Sequence, residues 1–578
     1  MKKLSFILVA VLVGIVSSCS DEFLTKEPLG VVGEAQLATE KGVDALLIAA
    51  YGQIDGLGSS NNGTWASAPS NWIYGSITSD DAYKGTDNLD QPSATQLEKY
   101  IHTPLTDYFN QRWISLYDGV SRCNDVIRVA KTALDAGTIT DAQFTQYVAE
   151  ARFLRGHYMF NAKIIFGNPP YVDETVTDYF SVGNTTEGGD IIDVWPFIEA
   201  DFQAALNDLP TVRSQPGRSD KWAARAYLAK VHMQQGDLNT AKPLLDDIIN
   251  NGPYELMECF HDNYTIAGNN NKESIWEYQA SVNEPGYQNG NYGDVLNFPY
   301  TGGPGTCCGF HQPSQNLVNA FQTDGSGLPL LDTFNDTDVV SDQGVDSSDP
   351  FTEHTGPLDP RLDWTVGRRG IPYLDWGDHP GKNWIRDQEY GGPYAPIKEV
   401  YYQAEEGSGT ATSGWTSGAT ANNVRFIRLG HVMLWRAEVA ADEGDLATAL
   451  DLVNQLRVRA RDGCWVQEGG VRDDGSHADN AANYQIEPYA SFPDAAFAEK
   501  AVRFEIRLEF GMEGNRFFDL VRWGVAADVL NTYVAKEQSL RAYLAGVTFV
   551  AGKNEVYPIP QTQIDVLGSD LLKQNPGY

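Results

Sequence analysis

Two stretches of this chain set aromatic rings among short polar residues, the mixture of side chains that handles hydroxylated ligands. Trp72, Tyr74, Asp80, Asp81 and Tyr83 make up the first, and Tyr287, Asn291, Tyr292 and Tyr300 the second. An indole or phenol face stacks on the apolar C–H face of a sugar ring, while amides, carboxylates and guanidinium groups at its rim exchange hydrogen bonds with the hydroxyls. Both stretches lie in sequence rich in Gly, Ser, Asn and Asp without helical periodicity. They therefore read as loops, where ligand-contacting residues concentrate on a rigid scaffold. The competing role for each ring is packing between loop and scaffold.

Other chemistries find little support. The sequence has no Gly-x-Ser-x-Gly, no phosphate-binding glycine loop and no dinucleotide fingerprint. Neither Cys-x-x-Cys nor His-Glu-x-x-His occurs, and the 9 histidines show no ligand spacing, so no metal and no cofactor are expected. The acids from Asp332 to Asp338 lack the spacing and glycine of a calcium loop. A glycosidase needs two carboxylates about 5 to 10 Å apart, and sequence alone places no such pair. Lys plus Arg number 42 against 77 Asp plus Glu, a formal charge of −35. Such a surface repels itself and offers no cluster of cations to displace counterions from phosphates, so nucleic acid is excluded as a partner.

The elements that must hold these loops are helical. Ala151, Leu154, Tyr158, Ala162 and Ile165 recur at steps of three and four within Glu150 to Tyr171, which predicts a helix with one packing stripe and with Arg152, Arg155 and Lys163 elsewhere. Gly167 and Pro169-Pro170 should stop it. An internal repeat supports a paired-helix scaffold: Ala229, Gly236-Asp237-Leu238 and Ala241 return with the same spacing as Ala437, Gly444-Asp445-Leu446 and Ala449. Small residues allow close helix approach and Gly-Asp makes the turn, the tetratricopeptide device. Helices around Tyr117 and Tyr158 are candidates for a degenerate pair. The expected organisation is a signal peptide over 1–18 and one domain over 19–578. Within that domain a mainly α scaffold, about 35–255 and 423–578, would carry a loop-rich irregular lobe, about 256–422.

Met1-Lys2-Lys3 followed by the apolar run Leu4 to Val16 reads as a secretory signal too short to span a bilayer comfortably. It ends in Val16-Ser17-Ser18-Cys19, which resembles the lipobox of bacterial lipoproteins and implies acylation of Cys19. Five cysteines then remain, so at least one lacks an intramolecular partner. Cys123 reads as a buried thiol, and the adjacent Cys307 and Cys308 as free loop thiols, with a vicinal disulfide as the alternative.

Further motifs carry a family resemblance. Ala-Arg-Phe-Leu-Arg at 151–155, the leader Phe23 to Gly30 and the endings Tyr557-Pro558-Ile559-Pro560 and Gln574-Asn575-Pro576-Gly577-Tyr578 all contribute to it. Above all, Glu513-Gly514-Asn515-Arg516-Phe517-Phe518-Asp519-Leu520-Val521-Arg522-Trp523-Gly524, with Glu505 and Glu509 upstream, resembles the signature of SusD/RagB outer-membrane lipoproteins. One departure is Ile506, where that family commonly has arginine. The alternating charges of this motif suit packed helices better than catalysis.

The resemblance implies a lipid-anchored, surface-exposed outer-membrane protein, not an enzyme, that binds an oligo- or polysaccharide and delivers it to a SusC-like TonB-dependent transporter. Alternatives are the same receptor with a peptide or other non-glycan ligand, a surface glycan hydrolase, and a plain interaction scaffold.

Overall fold

The computed structural model describes residues 33–58, 64–213, 215–284, 289–413, 416–470 and 479–578. Cys19, the signal and leader sequences and Tyr287 lie outside the described residues.

Helix α1 (Glu40–Gly52) is followed by α2 (Asp107–Asp135) and α3 (Asp141–Phe166), which pack on one another. The central helix begins before Glu150, because Thr140 and Gln143 form a reciprocal cap. Gly167, at φ 67°, ends it and donates its N–H to Lys163 O at 2.9 Å. The expected stripe is buried, but Phe153, Gly156, Met159 and Phe160 are buried too, so α3 is covered on nearly every side from Ala149 onward, while Thr145 and Gln146 in its first turns are exposed. Arg155, off that stripe, is buried as well and grips Asp201 through Nε at 2.8 Å and Nη2 at 2.7 Å. Gly156 accepts the Phe202 ring where a Cβ would stand 2.9 Å from it.

The next helices are α4 (Trp195–Asp208), α5 (Lys221–Gln235) and α6 (Leu238–Asn251), and after the irregular interval come α7 (Leu429–Glu443) and α8 (Leu446–Asp462). The α5–α6 and α7–α8 pairs are the two copies of the repeat. Gly236 and Gly444 take the left-handed conformation at φ 73° and 76°, where a Cβ is costly. Asp237 and Asp445 then cap the following helices, accepting from Thr240 N at 3.3 Å and Thr448 N at 3.2 Å. Ala229, Ala241, Ala437 and Ala449 are buried at the close approaches, and α6 packs on α7, stacking one pair on the next.

Between Met257 and Asn422 the described backbone is mostly loop, with short strands that pair outward onto the scaffold. β1 (Ala82–Gly85) lies antiparallel to β3 (Phe310–Pro313), with Tyr83 opposite Gln312. β2 (Ser274–Tyr278) pairs with β6 (Val424–Arg428), and β4 (Val366–Gly367) with β5 (Ala395–Pro396). One large apolar core runs through helices and loops alike, and a smaller one packs between the later helices. Disulfides join Cys259 to Cys464 and Cys307 to Cys308, correcting the expectation of free thiols at 307 and 308, while Cys123 is a buried free thiol as read.

The signature motif welds these parts together. It spans the end of α9 (Ala495–Phe510) and α10 (Arg516–Arg522), before α11 (Ala526–Glu537). Glu505 forms an ion pair with Arg361 at 2.6 Å and accepts from Arg457 at 3.1 Å. Glu509 meets Arg361 at 3.0 Å, Arg428 at 2.7 Å and also Arg459, and Glu513 meets Lys398 at 2.7 Å. Arg361 and Lys398 come from the irregular interval, Arg428 from β6 and Arg459 from α8. Burial alone would raise the Glu513 carboxyl, but Lys398 and Arg428 outweigh it and hold it at about 2. Ile506, lacking a charge to pair, is buried in the apolar cluster between α7, α8 and α9. The chain ends against α3, with Asn575 donating to Phe166 O at 2.7 Å and Tyr557 O at 2.8 Å.

Candidate functional site

The first aromatic stretch is part of the frame. Trp72 is 1% exposed and donates its indole N–H to Gly293 O at 3.0 Å. Tyr74 is equally buried, and its hydroxyl donates to Tyr108 O at 3.1 Å. Asp80 receives Arg516 Nε at 2.8 Å and Nη2 at 3.0 Å, while Asp81 receives Arg507 Nε at 3.1 Å. Burial opposes ionisation of Asp80, yet Arg507 and Arg516 hold it at about 2. Tyr83 is buried and bonds Glu537. None of these five presents a surface, which corrects the reading of them as ligand-facing: each ring or carboxylate has its partner inside the fold.

In the second stretch, Asn291 and Tyr292 are buried as well, and Asn291 donates to Asp294 at 2.8 Å. Trp72 and Asn291 do converge, on a cavity of about 50 Å³ that they line with Asp294, Asn297 and His311. That volume holds a water or two, far from the several hundred Å³ of a ligand pocket. Tyr300 alone among the described candidates keeps a partly exposed ring.

Around Tyr300 the structure assembles a platform from segments far apart in sequence. β1 runs out at Gly85 into the turn Thr86–Gln91. Lys84, buried beneath it over the Tyr390 ring, donates Nζ to Asp87 O and Asp90 O, both at 2.6 Å. The Asp87 carboxylate accepts the N–H groups of Leu89 and Asp90, each at 2.9 Å. Arg386 then bridges the turn from the other side, reaching Asp87 at 2.9 Å, Asp90 at 2.6 Å and Thr86 Oγ1 at 2.9 Å. Its guanidinium lies 5.1 Å from the Tyr300 ring centroid.

Tyr300 is fixed in turn, its N–H donated to Trp384 O at 2.8 Å, while Gly303 leaves room for the Trp384 indole, which a Cβ would approach to 3.1 Å. Partial burial works against ionisation of Asp87, but the Asp90 and Leu89 N–H groups and Arg386 hold its carboxyl below the usual carboxylate range. Leu89 stands 82% exposed at the tip. The result is an aromatic face, a guanidinium and two carboxylates at one half-open surface, all held in place before any ligand arrives.

Sequence reading missed Asp87, Asp90 and Arg386. The turn signal Asp87-Asn88-Leu89-Asp90 is visible, but its partner lies 296 residues away in the chain from Asp90.

The family model described as "SusD family" matches residues 272–578, and one described as "Starch-binding associating with outer membrane" matches 57–233. A SusD-like protein of Bacteroides ovatus is 27% identical over 282 residues, about half of each chain at 46% of this one and 47% of the relative. The starch-binding protein SusD of Bacteroides thetaiotaomicron is 24% identical over 462 residues, 76% of this chain and 74% of the relative. Among solved structures, surface glycan-binding protein A of Bacteroides thetaiotaomicron in complex with laminarihexaose superposes with a TM-score of 0.62 at 22% identity. That superposition covers 93% of this chain and 99% of the other and shows a shared fold.

Proposed function

This chain belongs to the SusD family, and from that premise we propose that it captures an oligo- or polysaccharide at the outer face of the cell and hands it, unaltered, to a TonB-dependent outer-membrane transporter. The observation that carries the reading is the Tyr300 platform. Its ring offers a stacking face to a sugar, and Arg386, Asp87 and Asp90 offer hydrogen bonds to hydroxyls without first having to reorganise. The names of the relatives point to neutral glucans, starch and laminarin, as the first ligands to test.

Capture without cleavage fits the same geometry. Glycoside hydrolysis needs a carboxyl with a raised pKa as general acid, and Asp87, held below the usual carboxylate range by the Asp90 and Leu89 N–H groups and Arg386, does not supply it. The anchor would be the acylated Cys19; among the described residues no helix is long and apolar enough to cross a membrane.

Affinity electrophoresis of the mature protein against neutral and acidic polysaccharides tests this. Retardation by one glycan without product release, lost in Tyr300→Ala, is the expected result. Retardation unchanged in Tyr300→Ala would remove the platform from the reading. Release of shortened glycan would replace capture with hydrolysis, and no retardation by any glycan would shift the ligand class to peptides.

A further inference from the structure

A second feature lies well apart in role from the platform, where α3, α5, α7 and α10 close around a cavity of about 60 Å³. Lys230 of α5 enters it with Nζ 5.4 Å from the Phe160 ring centroid and 5.8 Å from that of Tyr227. Among the described residues no hydrogen bond or ion pair reaches this ammonium. The carboxylates lining the cavity are already engaged: Asp519 accepts from Arg522 at 2.8 Å and Glu513 from Lys398 at 2.7 Å.

His431, 3% exposed, lines the same cavity. Its Nδ1 accepts the N–H of Arg428 at 3.3 Å, which puts the ring proton on Nε2, and that Nε2–H is buried without a partner. The partly open cavity therefore presents an unpaired cation on the half-buried Lys230 and an unpaired donor on the buried His431, and burying that donor without a counterpart is costly.

We propose that this cavity is a binding site for a small monoanion of chloride size, held between Lys230 Nζ and His431 Nε2. A water-sized occupant needs about 10–15 Å³ of such space, so the cavity has room for one such ion with water beside it. The other charged or titratable groups facing Lys230 are His157 from α3, Arg425 from β6 and Arg522 from α10, none of which adds negative charge. Burial lowers the Lys230 ammonium to about 8, only partly offset by Asp519, so the site should be charged at neutral pH and weaken in base.

Crystals of the mature protein grown in bromide test this directly. The expected result is an anomalous peak in the cavity between the two nitrogens; a cavity occupied only at the level of water, with no anomalous signal, overturns the proposal. In solution, replacing gluconate by chloride at constant ionic strength should raise Tm saturably, by about 1 °C, at pH 7 and not at pH 10. Lys230→Met should lose the response, and a variant that keeps it also overturns the proposal. Should Lys230→Met fail to fold, the bromide crystal decides alone.

Discussion

Two clusters of arginine and carboxylate in this molecule use the same chemistry for opposite ends. Around Glu509, the side chains of Arg361, Arg428 and Arg459 are at most 4% exposed and Glu509 itself is at 0%; at the platform, Arg386 is 29% exposed and Asp87 and Asp90 are 24% and 31%. In the first cluster every charge is spent on its neighbours and on joining the irregular interval to the helices. In the second, hydrogen-bonding capacity remains turned to solvent beside an aromatic face. The most recognisable residues of the chain thus hold the scaffold, and the residues fit to meet a ligand are the ones without a pattern.

Breaking the buried cluster should have the largest effect. Glu509→Gln leaves three guanidinium groups with a neutral partner, and removing one member of a buried charge network costs about 3–5 kcal/mol. Denaturant unfolding should show a loss of that order, with ligand affinity falling only as far as the folded fraction does. Breaking the exposed cluster should do the reverse. Tyr300→Ala is expected to weaken glycan binding about 30-fold, roughly 2 kcal/mol, in isothermal titration, with Tm within about 1 °C of the parent protein.

A smaller effect separates the two clusters by pH. Glu98 is buried, accepts the Lys84 N–H beneath the platform at 2.9 Å, and is raised to about 7 by burial, with the Tyr543 hydroxyl and that N–H pulling the other way. A folded pKa above the unfolded value favours folding fully below about 4.5 and loses that contribution as pH rises through about 7. Glu98→Gln should therefore be more stable than the parent at pH 8 and no different from it at pH 4, as read by denaturant unfolding at the two pH values. Glu513, held at about 2, has the opposite sign: its contribution is present above about 4.5 and disappears as pH falls toward 2. Smallest of all should be Arg386→Lys, which keeps the charge but loses the planar fork bridging Asp87 and Asp90. Glycan affinity should drop about threefold in titration, roughly 0.6 kcal/mol, with stability unchanged.

How far sequence could anticipate this depends on how local each feature is. The Gly-Asp-Leu repeats announce their turns because a left-handed glycine and an N-cap aspartate act within a few residues. The acids of the signature motif announce a structural role because their charges alternate along helices among apolar residues. The aromatic loops misled for a physical reason: Trp72 and Tyr74 sit in polar sequence because their neighbours turn and bond the backbone, while the rings themselves go inward. Asp80 and Asp81 look like ligand contacts until Arg507 and Arg516 are brought to them by folding. The disulfide between Cys259 and Cys464, 205 residues apart, had no local signal at all, and the meeting of Arg386 with Asp87 and Asp90 was equally hidden.

Ligand should meet the Tyr300 platform and leave the signature motif untouched. Hydrogen exchange of the mature protein with and without the polysaccharide that retards it tests this most directly. Protection is expected over 84–91, 299–303 and 383–387, with α9 and α10 unchanged. Protection confined to α9 and α10, or absent from all three platform segments, would contradict it.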